Sequence, residues 1–141
     1  MKESDLATKF MITFQKYKPL VITNNSQSGW PDRMLQAPRS MAIFVELKVV
    51  TPNLDGTFFL GLRQDQAVWL TKWQSGGGKC FLFAGILDSR NMIYCYGILT
   101  TQTPQEWLKV PKLKYTKETF TKTFYQSRDI IHWFENYIYT E

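Results

Sequence analysis

The chain has little to offer soft-metal or redox chemistry. Its 141 residues include two cysteines, Cys80 and Cys95, and one histidine, His132. A structural zinc site usually closes with four Cys or His ligands, so zinc is not expected. A disulfide is not expected either. If Cys80–Leu87 and Met92–Leu99 form a hairpin whose partner numbers sum to about 179, Cys95 faces Ala84 and not Cys80. Both cysteines read as small buried apolar groups. No apolar run is long enough to span a membrane. The charged start, MKESDLATKF, lacks the apolar segment of a secretory signal. The expected location is therefore the cytoplasm, where thiols stay reduced. No repeat or low-complexity tract divides the chain, so residues 1–141 read as a single domain.

What is present is apolar and aromatic: 44% hydrophobic residues and 16% aromatics, enough to build a real core. The net charge is +5, a basic bias compatible with a polyanionic partner. Residues from about Glu3 to Lys16 read as a helix ended by Lys18-Pro19, with Leu6, Phe10, Ile12 and Phe14 as its apolar positions. Leu20–Thr23 and Asp32–Leu35 read as short strands separated by a polar turn over Asn24–Gly29, and Gln36–Ser40 reads as a turn. Met41–Val50 is the strongest strand. A loop over Thr51–Gly61 leads to a helix over Gln64–Gln74, with Trp69 and Trp73 on its core side and Lys72 on its solvated face. Cys80–Leu87 and Met92–Leu99 follow as strands, and Ser127–Tyr139 as an amphipathic helix with His132 at the core edge. This order predicts an α/β fold with helices flanking a sheet.

The strand Met41–Val50 poses the chemical question. Side chains alternate faces along a strand. Ile43, Val45, Leu47 and Val49 share one face; Ala42, Phe44, Glu46, Lys48 and Val50 share the other. Glu46 and Lys48 thus stand together, about 7 Å apart along the strand, and are expected to look out from one sheet surface. The short connection from Leu35 to Met41 sets the Asp32 strand alongside, so Asp32 approaches Glu46. Two adjacent carboxylates repel unless a cation lies between them. All-oxygen ligands suit Mg²⁺, with Mn²⁺ as a substitute. An amine beside such an ion can hold or polarise an attacking water and offset the charge growing on a phosphate. Taken separately, Glu-x-Lys reads as a solvated strand surface and Pro-Asp as a turn; their order and spacing on adjoining strands is the signal for metal-assisted phosphodiester hydrolysis.

Gly29-Trp30-Pro31-Asp32-Arg33-Met34, Phe44-Val45-Glu46-Leu47-Lys48 and Leu62-Arg63-Gln64-Asp65-Gln66 together resemble the PD-(D/E)xK nuclease superfamily. Within it they resemble the small phage-type members of the VRR-NUC family, which are related to Holliday junction resolvases. The resemblance covers about residues 1–87. It implies a restriction-endonuclease-like core, a central mixed β-sheet flanked by helices, and a Mg²⁺-dependent site. Carried over by position, Asp32 and Glu46 are metal ligands assisted by the Leu47 carbonyl, Lys48 is the catalytic lysine, and Gln66 is a helix-borne glutamine lining the same site. An acidic residue on the first helix also reaches the metal in the family; Glu3 is the choice, with Asp5 in reserve. The resemblance further implies DNA as substrate, branched or junction DNA included, a homodimer, and the host cytoplasm if the gene is viral. The Thr51–Gly61 loop is longer than the family's usual link. The core is expected over about residues 1–99, and the basic, aromatic extension over about 100–141 matches no part of the family.

Arg33 and Arg63 flank the expected site and suit phosphate oxygens, as does Arg39 on the turn. Lys112 and Lys114 belong to a run of five lysines between Lys109 and Lys122 with Glu118 as its one acid, interleaved with Trp107, Tyr115, Phe120 and Phe124. Such a segment can bind nucleic acid, or can pack its aromatics inward as a basic surface; the second reading is favoured. Two alternatives to the nuclease stand beside it. One is a non-catalytic nucleic-acid-binding module that keeps the fold. The other is an interaction protein with a Glu46–Lys48 surface pair, which explains the pattern poorly because such pairs contribute little.

Overall fold

The computed structural model describes residues 2–22 and 29–139. Helix α1 (Lys2–Thr13) is followed by strands β1 (Leu20–Val21), β2 (Arg33–Ala37) and β3 (Met41–Val50). Helix α2 (Gln64–Ser75) then leads to β4 (Lys79–Leu87), β5 (Ile93–Leu99), β6 (Lys122–Phe124) and helix α3 (Ser127–Tyr137). The six strands form one sheet in chain order. All neighbours are antiparallel except β3 and β4, which run parallel because α2 carries the chain back between them. The fold is α/β, a mixed sheet flanked by helices, consistent with a restriction-endonuclease-like core. Among the described residues, no helix is long and apolar enough to cross a membrane.

Each face of the sheet carries its own core. On one face, α1 buries Leu6 and Phe10, and Phe14 just past its end continues the stripe one turn on, against Ile43, Val45, Phe81 and Phe83, and α3 adds Ile130 and Phe134. Ile12 falls off this stripe and is 63% exposed. On the other face, α2 and the segments around it cover Phe44, Val50, Leu82, Ala84 and Ile86. The alternation expected for β3 is therefore present, but its charged face is not solvated: Glu46 is 1% exposed. A strand with a parallel neighbour and helices on both sides is buried on both sides.

The residues after Leu99 contribute to both layers. A run of 3₁₀ helix over Pro104–Lys112 packs on α2, and β6 extends the sheet. Trp107 is fully buried and donates its indole N–H to Gln74 Oε1 at 2.7 Å. Phe58 and Tyr115 exchange backbone hydrogen bonds of 2.9 and 2.8 Å, which ties the long loop after β3 to this segment. Phe120 lies on Gly97; a Cβ there would sit 2.7 Å from the ring. Tyr115, Phe120 and Phe124 are buried as well, so the interleaved aromatics do pack inward.

Several expectations need correction. The β2 strand runs on to Ala37, and the tight connection to β3 is Pro38–Ser40. Cys95 faces Ile86 and not Ala84, because the hairpin register is displaced and then shifts again between Ile86 and Leu87. Strand β6 was not anticipated; a three-residue edge strand carries too little pattern to read. His132 is exposed. The turn expected over Asn24–Gly29 lies outside the described residues, apart from Gly29.

Phe14 is fully buried and touches the rings of Phe10, Phe81, Phe83 and Phe134. Phe14→Ala is expected to cost about 3–5 kcal/mol in urea denaturation, and Ile12→Ala less than about 0.5 kcal/mol. Equal losses for the two would contradict the core assignment.

Candidate active site

Backbone pairing brings the acids together. Arg33 pairs with Val45, so Asp32 lies opposite Glu46. Pro31 has no N–H, which ends the ladder at this point, and side chains take over its last rungs. The Asp32 amide donates to Glu46 Oε1 at 3.1 Å, and the Leu47 amide donates to Asp32 Oδ2 at 3.1 Å. Each carboxylate is thus clasped by the other strand's backbone.

The facing helix completes the arrangement. Gln66 stands in the first turn of α2 and is 4% exposed. Its Nε2 donates to Glu46 Oε2. Its Oε1 accepts the Arg63 amide at 3.0 Å, capping the helix, and the Lys48 amine at 3.2 Å. The Lys48 amine also lies 3.3 Å from Glu46 Oε2, with 18% of its side chain exposed. Gln66 therefore holds both the acid and the amine while terminating its own helix.

Gly29 fixes the distance between the two halves. It adopts φ +84°, in the left-handed region that favours glycine, and a Cβ there would collide with the Asp65 carbonyl in the first turn of α2. The Gly29–Asp32 segment can lie against the helix start only because nothing projects from that residue. Gly29 belongs to the quoted motif, but this contact joins segments far apart in sequence and nothing local announces it.

These groups line an open cavity of about 510 Å³. Asp32, Glu46, Leu47, Lys48 and Gln66 line it together with Arg33 and Arg63, and with Leu60 and Gly61 from the long loop. Glu3 on α1 reaches the same cavity. Asp5 instead lies near Tyr96, whose hydroxyl pKa is raised by burial and then by the Asp5 charge. Arg63 is held by Asp65, Nε to Oδ1 at 3.1 Å. Arg33 donates from Nη1 to the Asp32 carbonyl at 3.0 Å, but its Nε is buried without a hydrogen-bond partner. The remaining cations lie elsewhere. Arg39 sits in the β2–β3 turn in a left-handed conformation, φ 65°, roughly 16 Å along the strand from Glu46. Lys112 and Lys114 are exposed, and Lys114 adds its charge to the Thr57 hydrogen bonds that lower the Asp55 carboxyl pKa.

Burial, and then the neighbouring Asp32 carboxylate, push Glu46 from its ordinary 4.5 up to about 7, against the opposing pull of Lys48. Asp32 and Glu46 offer oxygen donors, and Leu47, whose carbonyl is the expected third donor, lines the same cavity. Among the described residues, no three of His, Cys, Asp and Glu gather as a ligand cluster. Mg²⁺ is commonly held by one or two carboxylates, with water and substrate phosphates completing its shell. Asp32 and Glu46 fit that mode, and the repulsion between them, which Lys48 offsets in part, is what a cation would remove.

Compared with known proteins, the chain matches no family model and no curated protein.

A raised carboxyl pKa means that the folded chain keeps a proton which the unfolded chain releases. The associated stability is full below pH 4.5 and is lost as the pH rises through about 7. Metal-free protein is expected to show a falling thermal midpoint across that window, and Glu46→Gln to remove the Glu46 part of the fall. Parallel pH curves for the two proteins would count against the buried-acid assignment.

Proposed function

We propose that the protein is a Mg²⁺-dependent endodeoxyribonuclease of the PD-(D/E)xK type, hydrolysing phosphodiester bonds, with Mn²⁺ able to substitute. One observation carries the reading. Asp32 and Glu46 meet across neighbouring strands, with the Lys48 amine 3.3 Å from Glu46, and all three line an open cavity. A surface ion pair would need neither the second acid nor a glutamine gripping both charges.

Asp32 and Glu46, with the Leu47 carbonyl, would hold the metal. When bound, the ion would supply Lewis-acid polarisation of a phosphate and neutralise the paired acids. Lys48 orients the attacking water and offsets negative charge as it grows on the phosphate. Gln66 holds Lys48 and Glu46 in register. Arg33, with its unpartnered buried Nε, offers a donor to a phosphate oxygen, and Arg63 offers a second cation at the rim. Branched DNA is one substrate class within this reading, simple nicking another. A two-fold pair of protomers belongs to the branched case, because symmetric cutting of two strands needs two sites related by a two-fold axis. Two buried free thiols favour a reducing cytoplasm, that of the host if the gene is viral.

The test incubates the protein with supercoiled plasmid and with a four-way junction in Mg²⁺, Mn²⁺ or EDTA. Cutting is expected with either metal and none with EDTA. Glu46→Gln and Lys48→Ala should each lower the rate by about a hundredfold or more, and Arg33→Ala by roughly tenfold. Undiminished cutting by Glu46→Gln defeats the site. Binding without cutting under both metals instead favours a non-catalytic nucleic-acid-binding module.

A further inference from the structure

Aromatic side chains interleaved with lysines suggested base stacking, yet Trp107, Tyr115, Phe120 and Phe124 are all buried. Two other rings near the same basic segment are not. Tyr94 is 41% exposed and Tyr125 is 60% exposed. Lys117 joins them: its amine lies 5.8 Å from the Tyr94 ring centre and 6.0 Å from that of Tyr125, and donates to the Tyr125 hydroxyl at 3.3 Å.

The sheet register locates this cluster relative to the cavity. Lys48, Ala84, Gly97 and Thr123 form one row across β3 to β6. Tyr125 lies two residues beyond that row, and Tyr94 three residues beyond it, both toward the Val50 end. Lys117 stands three residues before Phe120, which lies on Gly97 in the layer that also holds Phe44 and Ala84. Standard strand spacings put the cluster roughly 15 Å from Lys48, the rise of about four stacked nucleotides.

We infer that Tyr94, Lys117 and Tyr125 form a binding site for an unpaired stretch of nucleic acid leading away from the cavity. The inference rests on the nuclease reading and deepens it: the substrate carries a single-stranded flank. Exposed rings offer stacking surface to bases, which only an unpaired strand can present. The amine between them meets a phosphate, and the lysine-rich segment around it, with Glu118 its one acid, supplies charge complementarity to a polyanion. Duplex DNA, its bases already stacked, has nothing to give the rings.

The experiment measures fluorescence anisotropy of a short labelled thymidine oligomer and of a blunt duplex, both in EDTA so that nothing is cut. Tyr94→Ala combined with Tyr125→Ala should weaken single-strand binding by roughly tenfold or more, and duplex binding far less. Tyr94→Phe with Tyr125→Phe, which keeps the rings, should retain single-strand affinity. Lys117→Ala should reduce the salt slope by about one. Single-strand affinity unchanged by the double alanine variant, or an equal loss on duplex, overturns the inference. Plasmid cutting by the wild-type protein in Mg²⁺ is scored separately, so its failure would remove the nuclease reading and leave the tyrosines to be judged on binding alone.

Discussion

The arrangement turns on one buried carboxylate. Glu46 sits on the central strand with 1% of its surface exposed. A buried charge survives only if its oxygens are satisfied. Here the Asp32 amide satisfies Oε1, and Gln66 and Lys48 satisfy Oε2. The three partners come from different parts of the chain, so keeping Glu46 inside requires β2, β3 and α2 to be in place together. What remains unsatisfied is electrostatic: burial, and then the Asp32 carboxylate standing against that of Glu46, raise the Glu46 pKa. A site that keeps such tension is suited to a cation.

The fold is organised to hold that clasp. An α-helical crossover between parallel strands puts the start of α2 over β3, where Gln66 can reach Glu46. Gly29 lets the Asp32 segment press against that same helix turn. The long loop after β3, tied down through the Phe58–Tyr115 pairing, closes one wall of the cavity with Leu60 and Gly61. The C-terminal segment supports α2 from behind through Trp107 and Gln74. The rigid part of the site is thus strand and helix, while loops and surface arginines form its rim.

Much of this was legible in the residues. The β3 strand could be read to its limits because its alternation is strong, and the Asp32–Glu46 approach followed from a connection too short to lead anywhere else. Gln66 and Leu47 came from the resemblance, which also named Glu3; all three residues line the cavity. Other features became visible only in the fold. Arg39 stands apart from the cavity, because a hairpin turn lies at the far end of its strands from Glu46. The face carrying Glu46 and Lys48 was read as open because charge usually means solvent; what covers it lies mostly outside β3. The aromatics of the lysine-rich run pack inward, as the favoured reading expects, while the exposed rings include Tyr94, which stands on a different strand.

Alternation and chain length therefore determined by themselves which side chains share a face and which strands must be neighbours, because both follow from the two-residue strand period and the reach of a short connection. Whether a face meets solvent, and which distant glutamine, glycine or tyrosine meets it, was decided by tertiary packing alone. Burial is a property of what lies opposite a residue, and no local pattern records its partner across the fold.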